Sequence, residues 1–231
     1  KLLVDKKVSG RFYGIFAIDL TTQSISSLGQ GTTGIGSGYN ANSASPVLSS
    51  DGRYVLFCAQ SSSSNKYNRT EPGYGLHNDL WAADLHNNNF YRLHRNGFSM
   101  SNPKGTVLPY FSPDGKTILW TAVLGQARSG LFMGRRSIFT AEFKLGRNGI
   151  PKLKDVEKLI SGNQQDFFEA YGFTPDGKKI LLAANLSNQY PWFGMDLYYL
   201  DLDTREFQIL TETPAIWDRF ASISPQGEKI I

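Results

Sequence analysis

At 231 residues, with 40% hydrophobic and 13% aromatic content, the chain can bury one substantial core, and no apolar run approaches the length of a membrane span. Its 24 basic and 20 acidic residues leave a scattered charge of +4. A nucleic-acid binder would gather its basic residues on one face among aromatics, so nucleic acid is not an expected partner. Cys58 is the only cysteine, which excludes a disulfide framework and reads as a buried structural thiol at the end of a strand.

Taken in order, residues 1–4 read as the second half of a repeat whose turn is missing. Residues 12–20 form a strand, Thr21-Thr22 a turn and 23–28 a return strand. The glycine run from Gly31 to Gly38 has no following helix and reads as a loop, not a phosphate cradle. Ser49-Ser50-Asp51-Gly52 then leads into the apolar run 54–57, and the strand 79–85 is followed by a return at 90–93. Phe111-Ser112-Pro113-Asp114-Gly115 leads into 116–120, with a strand at 137–143, a turn at 146–149 and a return ending near Leu159. Thr174-Pro175-Asp176-Gly177 leads into 180–182, followed by 196–202, an Asp203-Thr204 turn and 206–210. Ser224-Pro225-Gln226-Gly227 precedes Ile230-Ile231.

The recurring turn has a physical logic. Proline presets φ for the second position, aspartate bonds its own backbone, and glycine takes the positive φ that closes the turn. Gly52, Gly115, Gly177 and Gly227 are therefore expected at positive φ. Asp51, Asp114, Asp176 and Gln226 stand 63, 62 and 50 residues apart. A supersecondary unit repeated at such a period, with insertions, is the signature of propeller blades. Each unit reads as four antiparallel strands, A to D, with A before the Asp-Gly turn and B after it.

The fold class is thus all-β: a β-propeller of four-stranded antiparallel blades, with about four repeats present, expected to form part of a larger six- to eight-bladed propeller. The chain reads as a single domain, 1–231. Its blades fall at 1–28 (partial), 38–93, 107–159, 165–211 and 214–231 (partial), and no helix is expected.

Ser-Pro-Asp-Gly-Lys at 112–116, Asp-Leu-Trp at 79–81, Asp-Leu-Tyr at 196–198 and Leu-Thr closing the D strand at 210–211 together resemble the TolB-like β-propeller family. The lead-in from Ile216 to Pro225 resembles the start of a blade in that family. The likeness covers nearly the whole chain and departs at Ser50, where proline is usual, and at Gln226, where aspartate is usual. It implies architecture more than activity, because the repeat serves periplasmic binding scaffolds, peptidase gating domains and polysaccharide lyases. Low charge with abundant Ser, Asn and Tyr is compatible with an exported bacterial protein, so a periplasmic or secreted location is expected. With no initiating Met and no signal peptide, the chain is expected to be processed, trimmed or a fragment.

Antiparallel order sends the long B–C loops (59–78, 122–136 and 184–195) to the same end as the D–A loops, and insertions on one face of a repeat protein mark its binding face. The candidate binding residues there are Arg69, His77, Arg135, Arg136, Trp192, Trp217, Asp218 and Arg219. Their mixture of tryptophan and arginine suits a protein or oligosaccharide partner. Arg136, Trp192 and Trp217 are expected among the more exposed large residues of that face.

The leading function is a non-catalytic scaffold. The alternative is a propeller-type polysaccharide lyase or hydrolase with its site at the channel mouth, using carboxylates such as Asp166 and Glu169. Convergence of Asp166, Glu169, Asp218 and Arg219 would favour the enzyme. His77, His86 and His94 lack metal-ligand spacing, Asp201 and Asp203 suit a hairpin, and no Gly-x-Ser-x-Gly elbow occurs. No catalytic residue, metal or cofactor is expected.

Overall fold

The computed structural model describes residues 2–9, 12–29, 43–60, 75–96, 104–125, 135–160, 167–186, 194–213 and 216–231. Among them the chain forms fifteen strands and no helix. The first sheet holds β1 (Leu2–Ser9), β2 (Phe12–Ile18) and β3 (Ile25–Gly29). The second holds β4 (Ser43–Leu48), β5 (Tyr54–Gln60), β6 (Asn78–Asp84) and β7 (Asn89–His94). The third runs through β8 (Gly105–Phe111), β9 (Thr117–Gly125), β10 (Arg135–Leu145) and β11 (Pro151–Lys158). The fourth comprises β12 (Phe168–Phe173), β13 (Lys179–Ala184), β14 (Asp196–Asp201) and β15 (Phe207–Ile209). Strands pair antiparallel in chain order within each sheet. The leading strands lie side by side, β4 against β8 and β8 against β12. This is the all-β, propeller-type succession of blades that the repeat implies. Among the described residues, no helix is long and apolar enough to cross a membrane.

The Asp-Gly turns share one bonding scheme. Ser49, Ser112 and Thr174 each donate a hydroxyl hydrogen bond to Oδ1 of Asp51, Asp114 and Asp176, at 2.5, 2.6 and 2.6 Å. The same hydroxyls accept the N–H five residues on, from Tyr54, Thr117 and Lys179. Gly52, Gly115, Gly177 and Gly227 have φ of 71°, 71°, 72° and 78°, as the turn requires. Gln226 leaves this scheme standing in outline: the Gly227 N–H still reaches the Ser224 carbonyl at 2.8 Å, and the Lys229 N–H reaches Ser224 Oγ at 3.1 Å.

The turns also nest. A Cβ on Gly115 would lie 3.2 Å from Ser50 Oγ, one on Gly177 3.7 Å from Pro113 Cδ, and one on Gly227 3.2 Å from Pro175 Cδ. Each turn therefore rests its second residue on the glycine of the next.

The unbroken apolar runs after the turns follow from burial on both faces of a strand between two sheets. Ile118 and Trp120 point into a cluster with Leu56, Leu80 and Ala82 of the second sheet. Leu119, between them, joins Phe168, Ala170, Ile180 and Leu182 of the fourth. Leu181 and Ala183 turn the other way, onto Tyr171, Leu197 and Ala221, the last from the segment beyond the fourth sheet. Each fully buried Leu or Ile contributes about 1.5–3 kcal/mol.

The aspartate that opens the Asp-Leu-aromatic strands secures the chain after strand D. Asp79 Oδ1 accepts the Asn96 N–H at 2.8 Å, and Asp196 Oδ1 accepts the Thr213 N–H at 2.9 Å. In the degenerate third repeat Ser137 replaces it and donates to the Ile160 carbonyl at 2.8 Å. Strands β4, β8 and β12 each carry a bulge, between Ala44 and Val47, Val107 and Tyr110, and Ala170 and Gly172. At the last, the Ala170 N–H is taken by Thr121 Oγ1 of the preceding sheet at 3.0 Å, a bond that couples neighbouring blades.

Candidate binding face

The connections β5–β6, β9–β10 and β13–β14 leave the sheets at the end where β8 and β12 begin, as antiparallel order dictates. At that end the second residue of β12, Glu169, becomes the centre of a buried ionic cluster. Glu169 and Tyr171 are two residues apart on one strand, and the Tyr171 hydroxyl donates to Glu169 Oε1 at 2.9 Å. Arg136, at the start of β10 in the preceding sheet, bonds Glu169 Oε2 through Nη1. Arg219, from the segment after the fourth sheet, places Nη2 at 2.6 Å from Oε1 and 2.8 Å from Oε2, with Nε 3.2 Å from Oε1. One carboxylate thus joins three stretches of chain.

Arg136 and Glu169 side chains are fully enclosed, while that of Arg219 keeps 7% exposure. The Phe167 ring lies beside both guanidinia, 5.1 Å from Arg136 Cζ and 5.4 Å from Arg219 Cζ. Arg219 is further flanked by Phe220 at 4.6 Å and Trp217 at 5.9 Å. Those two rings reach the surface: Trp217 is 40% exposed and Phe220 63%. An arginine held from below by a carboxylate and bordered above by aromatic rings is pre-organised, so little side-chain freedom is lost when a partner meets it.

The electrostatics follow from burial. Burial holds the Arg136 guanidinium below its ordinary value; the Glu169 charge opposes this and Arg219 adds to it. Burial, and then the Glu169 charge, push the Tyr171 phenol up, so it remains a donor to the carboxylate. Tyr110 is raised by the same two causes in the same order. With its oxygens engaged by two guanidinia and a phenol, Glu169 is the shared counter-ion of Arg136 and Arg219.

The structure corrects part of the sequence expectation. Arg136 is 1% exposed, because it lies within a strand between sheets and its head is drawn onto Glu169; it is not an exposed contact residue. His77 is buried as well, with its backbone N–H donating to the Lys104 carbonyl at 2.7 Å, and burial lowers its pKa. Arg135 donates through Nη2 to the Leu124 carbonyl at 3.3 Å. Asp218 accepts the Thr213 hydroxyl at 2.6 Å, and so does not join Glu169 and Arg219 in the convergence that would favour an enzyme. Trp217 is exposed as expected, and its backbone bridges Met195.

Arg69, Trp192 and Asp166, and with them Tyr67, Tyr74, Arg128, Tyr190 and Phe193, lie outside the described residues. Phe220, Phe167 and Tyr171 escaped the sequence reading. A signal was present: Glu169 and Arg219 each stand five residues before the first turn residue of a repeat, Thr174 and Ser224. Opposite charges at one repeat position mark a pair across a junction. Among the described residues, no group of three or more His, Cys, Asp or Glu side chains is placed to hold a metal ion.

No family model and no curated protein matches the chain. Among solved structures, a puromycin hydrolase overlays on 88% of the chain with a TM-score of 0.53 and 18% identity, and an S511A mutant of puromycin hydrolase complexed with PGG on 94% with 0.50 and 17%. The chain spans 28% and 29% of those two structures, under a third of their length. A putative TolB from Agrobacterium tumefaciens overlays on 100% of the chain and 77% of its own, with 17% identity and a TM-score of 0.41. At these identities the first two likenesses speak for the fold alone.

Proposed function

We propose that the chain is a non-catalytic scaffold of the TolB-like propeller type, exported to the periplasm or beyond, that binds a protein or glycan through the face carrying its B–C and D–A loops. The observation that carries this reading is the surface set of Trp217 and Phe220 around Arg219, with Glu169 fixing the arginine from beneath. Tryptophan and arginine dominate interface energetics, and here they come pre-positioned on a rigid β framework. The bonding of Glu169 argues the same way, since its carboxylate is committed to holding charge in place. Of the other described candidates, Arg135 and Asp218 would contribute around that centre.

The test compares wild type with Trp217→Ala and Phe220→Ala in glycan-array and pull-down experiments. Loss of the captured partner in both variants, with unchanged melting temperatures, is the expected result. Equal capture by all three proteins would remove this face from consideration.

A second reading draws on the overlay with puromycin hydrolase: the chain would be the propeller portion of a hydrolase whose nucleophile lies elsewhere in a longer protein. Labelling of the full-length gene product by a fluorophosphonate serine probe would favour it over the scaffold.

A further inference from the structure

We infer that one position of strand B docks the next leading strand through a side-chain acceptor, and that in the fourth sheet, where Ala183 holds this position, the Tyr171 hydroxyl takes over that role for Phe220. Such a bond holds sheets together, and it stands whether or not the face above binds a partner.

The need for an acceptor comes from the bulges of the leading strands. A bulge sets two residues against one on the partner strand, and the N–H of the extra residue leaves its own ladder. In the interior that donor is costly unless something receives it. Leu108, Ala170 and Phe220 share one repeat position, four residues before Ser112, Thr174 and Ser224. Leu108 and Phe220 have left-handed φ, 51° and 61°, and Leu108 and Ala170 fall at the bulges of β8 and β12.

These donors turn to the preceding sheet. The Ala170 N–H reaches Thr121 Oγ1 at 3.0 Å, and the Leu108 N–H is directed at the Cys58 sulfur. Thr121 and Cys58 occupy the same place in strand B, nine residues after Ser112 and Ser49. Each pairs with the leading-strand residue just before the bulge of its own sheet, Val107 and Ala44, and both are buried. Cys58 is therefore the sulfur counterpart of a threonine hydroxyl.

In β13 the position falls to Ala183, which pairs with Glu169 and brings only a methyl group to the junction. The Phe220 N–H is directed instead at the Tyr171 hydroxyl, with the two rings 6.4 Å apart. That hydroxyl donates its own proton to Glu169 Oε1 at 2.9 Å. A phenol can do both, since it offers one donor and accepting lone pairs. Glu169 thus orients the phenol, the phenol holds the backbone at Phe220, and the adjacent Arg219 returns to Glu169. The ionic cluster and the docking of the next leading strand form one unit.

Amide hydrogen exchange on the full chain, followed by NMR as the rate at Phe220 relative to that at Ala170, tests this assignment. Tyr171→Phe is expected to raise the ratio about five-fold or more, because Ala170 keeps its bond from Thr121. Adding Ala183→Ser, which places a hydroxyl at the strand-B position, is expected to bring the ratio back towards wild type. Thr121→Val is expected to move the ratio the other way by a similar factor, through faster exchange at Ala170. Should Tyr171→Phe alone fail to fold, recovery of folding in the double variant is the rescue, and a double variant that stays unfolded overturns the inference. A ratio unmoved by Tyr171→Phe, or raised and not recovered by Ala183→Ser, overturns it as well. An Ala170 rate indifferent to Thr121→Val overturns the shared strand-B position.

Discussion

Arg219 grips both oxygens of Glu169, at 2.6 Å and 2.8 Å, across 50 residues of sequence. Arg136 reaches the same carboxylate from the preceding sheet, so the two arginines are not equivalent in what their loss exposes. Glu169→Gln strips the counter-charge from both guanidinia, one of them fully enclosed, and is expected to destabilise by about 3 kcal/mol or more. Arg219→Met leaves Glu169 paired with Arg136 and is expected to cost less, about 1.5–3 kcal/mol for the charged hydrogen bonds it removes. Urea denaturation of the two variants checks the order; a larger loss for Arg219→Met would show that Arg136 does not hold the carboxylate.

Acid should weaken the fold through its turns. Asp51, Asp114 and Asp176 lie below their ordinary value, first because of the hydroxyl bonds from Ser49, Ser112 and Thr174. Asp84 is lowered first by its bond from Arg53. A carboxylate whose folded pKa is depressed adds stability that is complete above its unfolded value and is lost as pH falls through the folded one. Denaturation midpoints are therefore expected to hold near neutrality and to fall below about pH 4. Ser112→Ala should lower the midpoint near neutrality and flatten its decline in acid, since it removes the cause of the shift at Asp114. An unchanged pH profile in that variant would remove the hydroxyl as the cause.

Two glycines should resist substitution for different reasons. Gly115→Val places a β-branched residue at φ 71° and against Ser50, and is expected to cost about 1 kcal/mol or more. Gly105 is needed for proximity: a Cβ there would stand 1.7 Å from the Gly75 carbonyl oxygen, where the two segments bridge. Gly105→Ala is expected to cost about 1–3 kcal/mol. Thermal melts that leave either variant at the wild-type midpoint would contradict its assigned role.

The architecture was legible because each of its signals is local. A turn of the Ser-Pro-Asp-Gly kind bonds within six residues, and Ile118 to Trp120 announce burial on both faces without reference to any partner. The site was less legible because its parts meet only in the folded chain. Arg136 closes a long connection in the sequence, where arginines ordinarily meet solvent, and nothing near it reveals that Glu169 lies across the junction. Asp218 and Arg219 read alike as charged loop residues, yet one turns to Thr213 and the other to Glu169. Phe220 stood in the sequence only as part of the lead-in 216–225, and at φ 61° it breaks the alternation by which a strand's side-chain directions are read.

Truncation within the doubly buried run should be severe. Leu119→Ala opens a void between the third and fourth sheets, where Leu119 is wholly enclosed, and is expected to cost about 2–5 kcal/mol. Val156→Ala, on an exposed stretch of β11, is expected to stay within about 0.5 kcal/mol. Comparable losses in the two variants would mean that the sheets do not pack as described.

Ser50, Pro113 and Pro175 each settle on the glycine one repeat later, so the three junctions from the second sheet onward share one fit. A gene that duplicates or drops a whole repeat rejoins a second turn residue to a glycine it already matches. At the level of the turns, a whole-repeat gain or loss therefore preserves this fit.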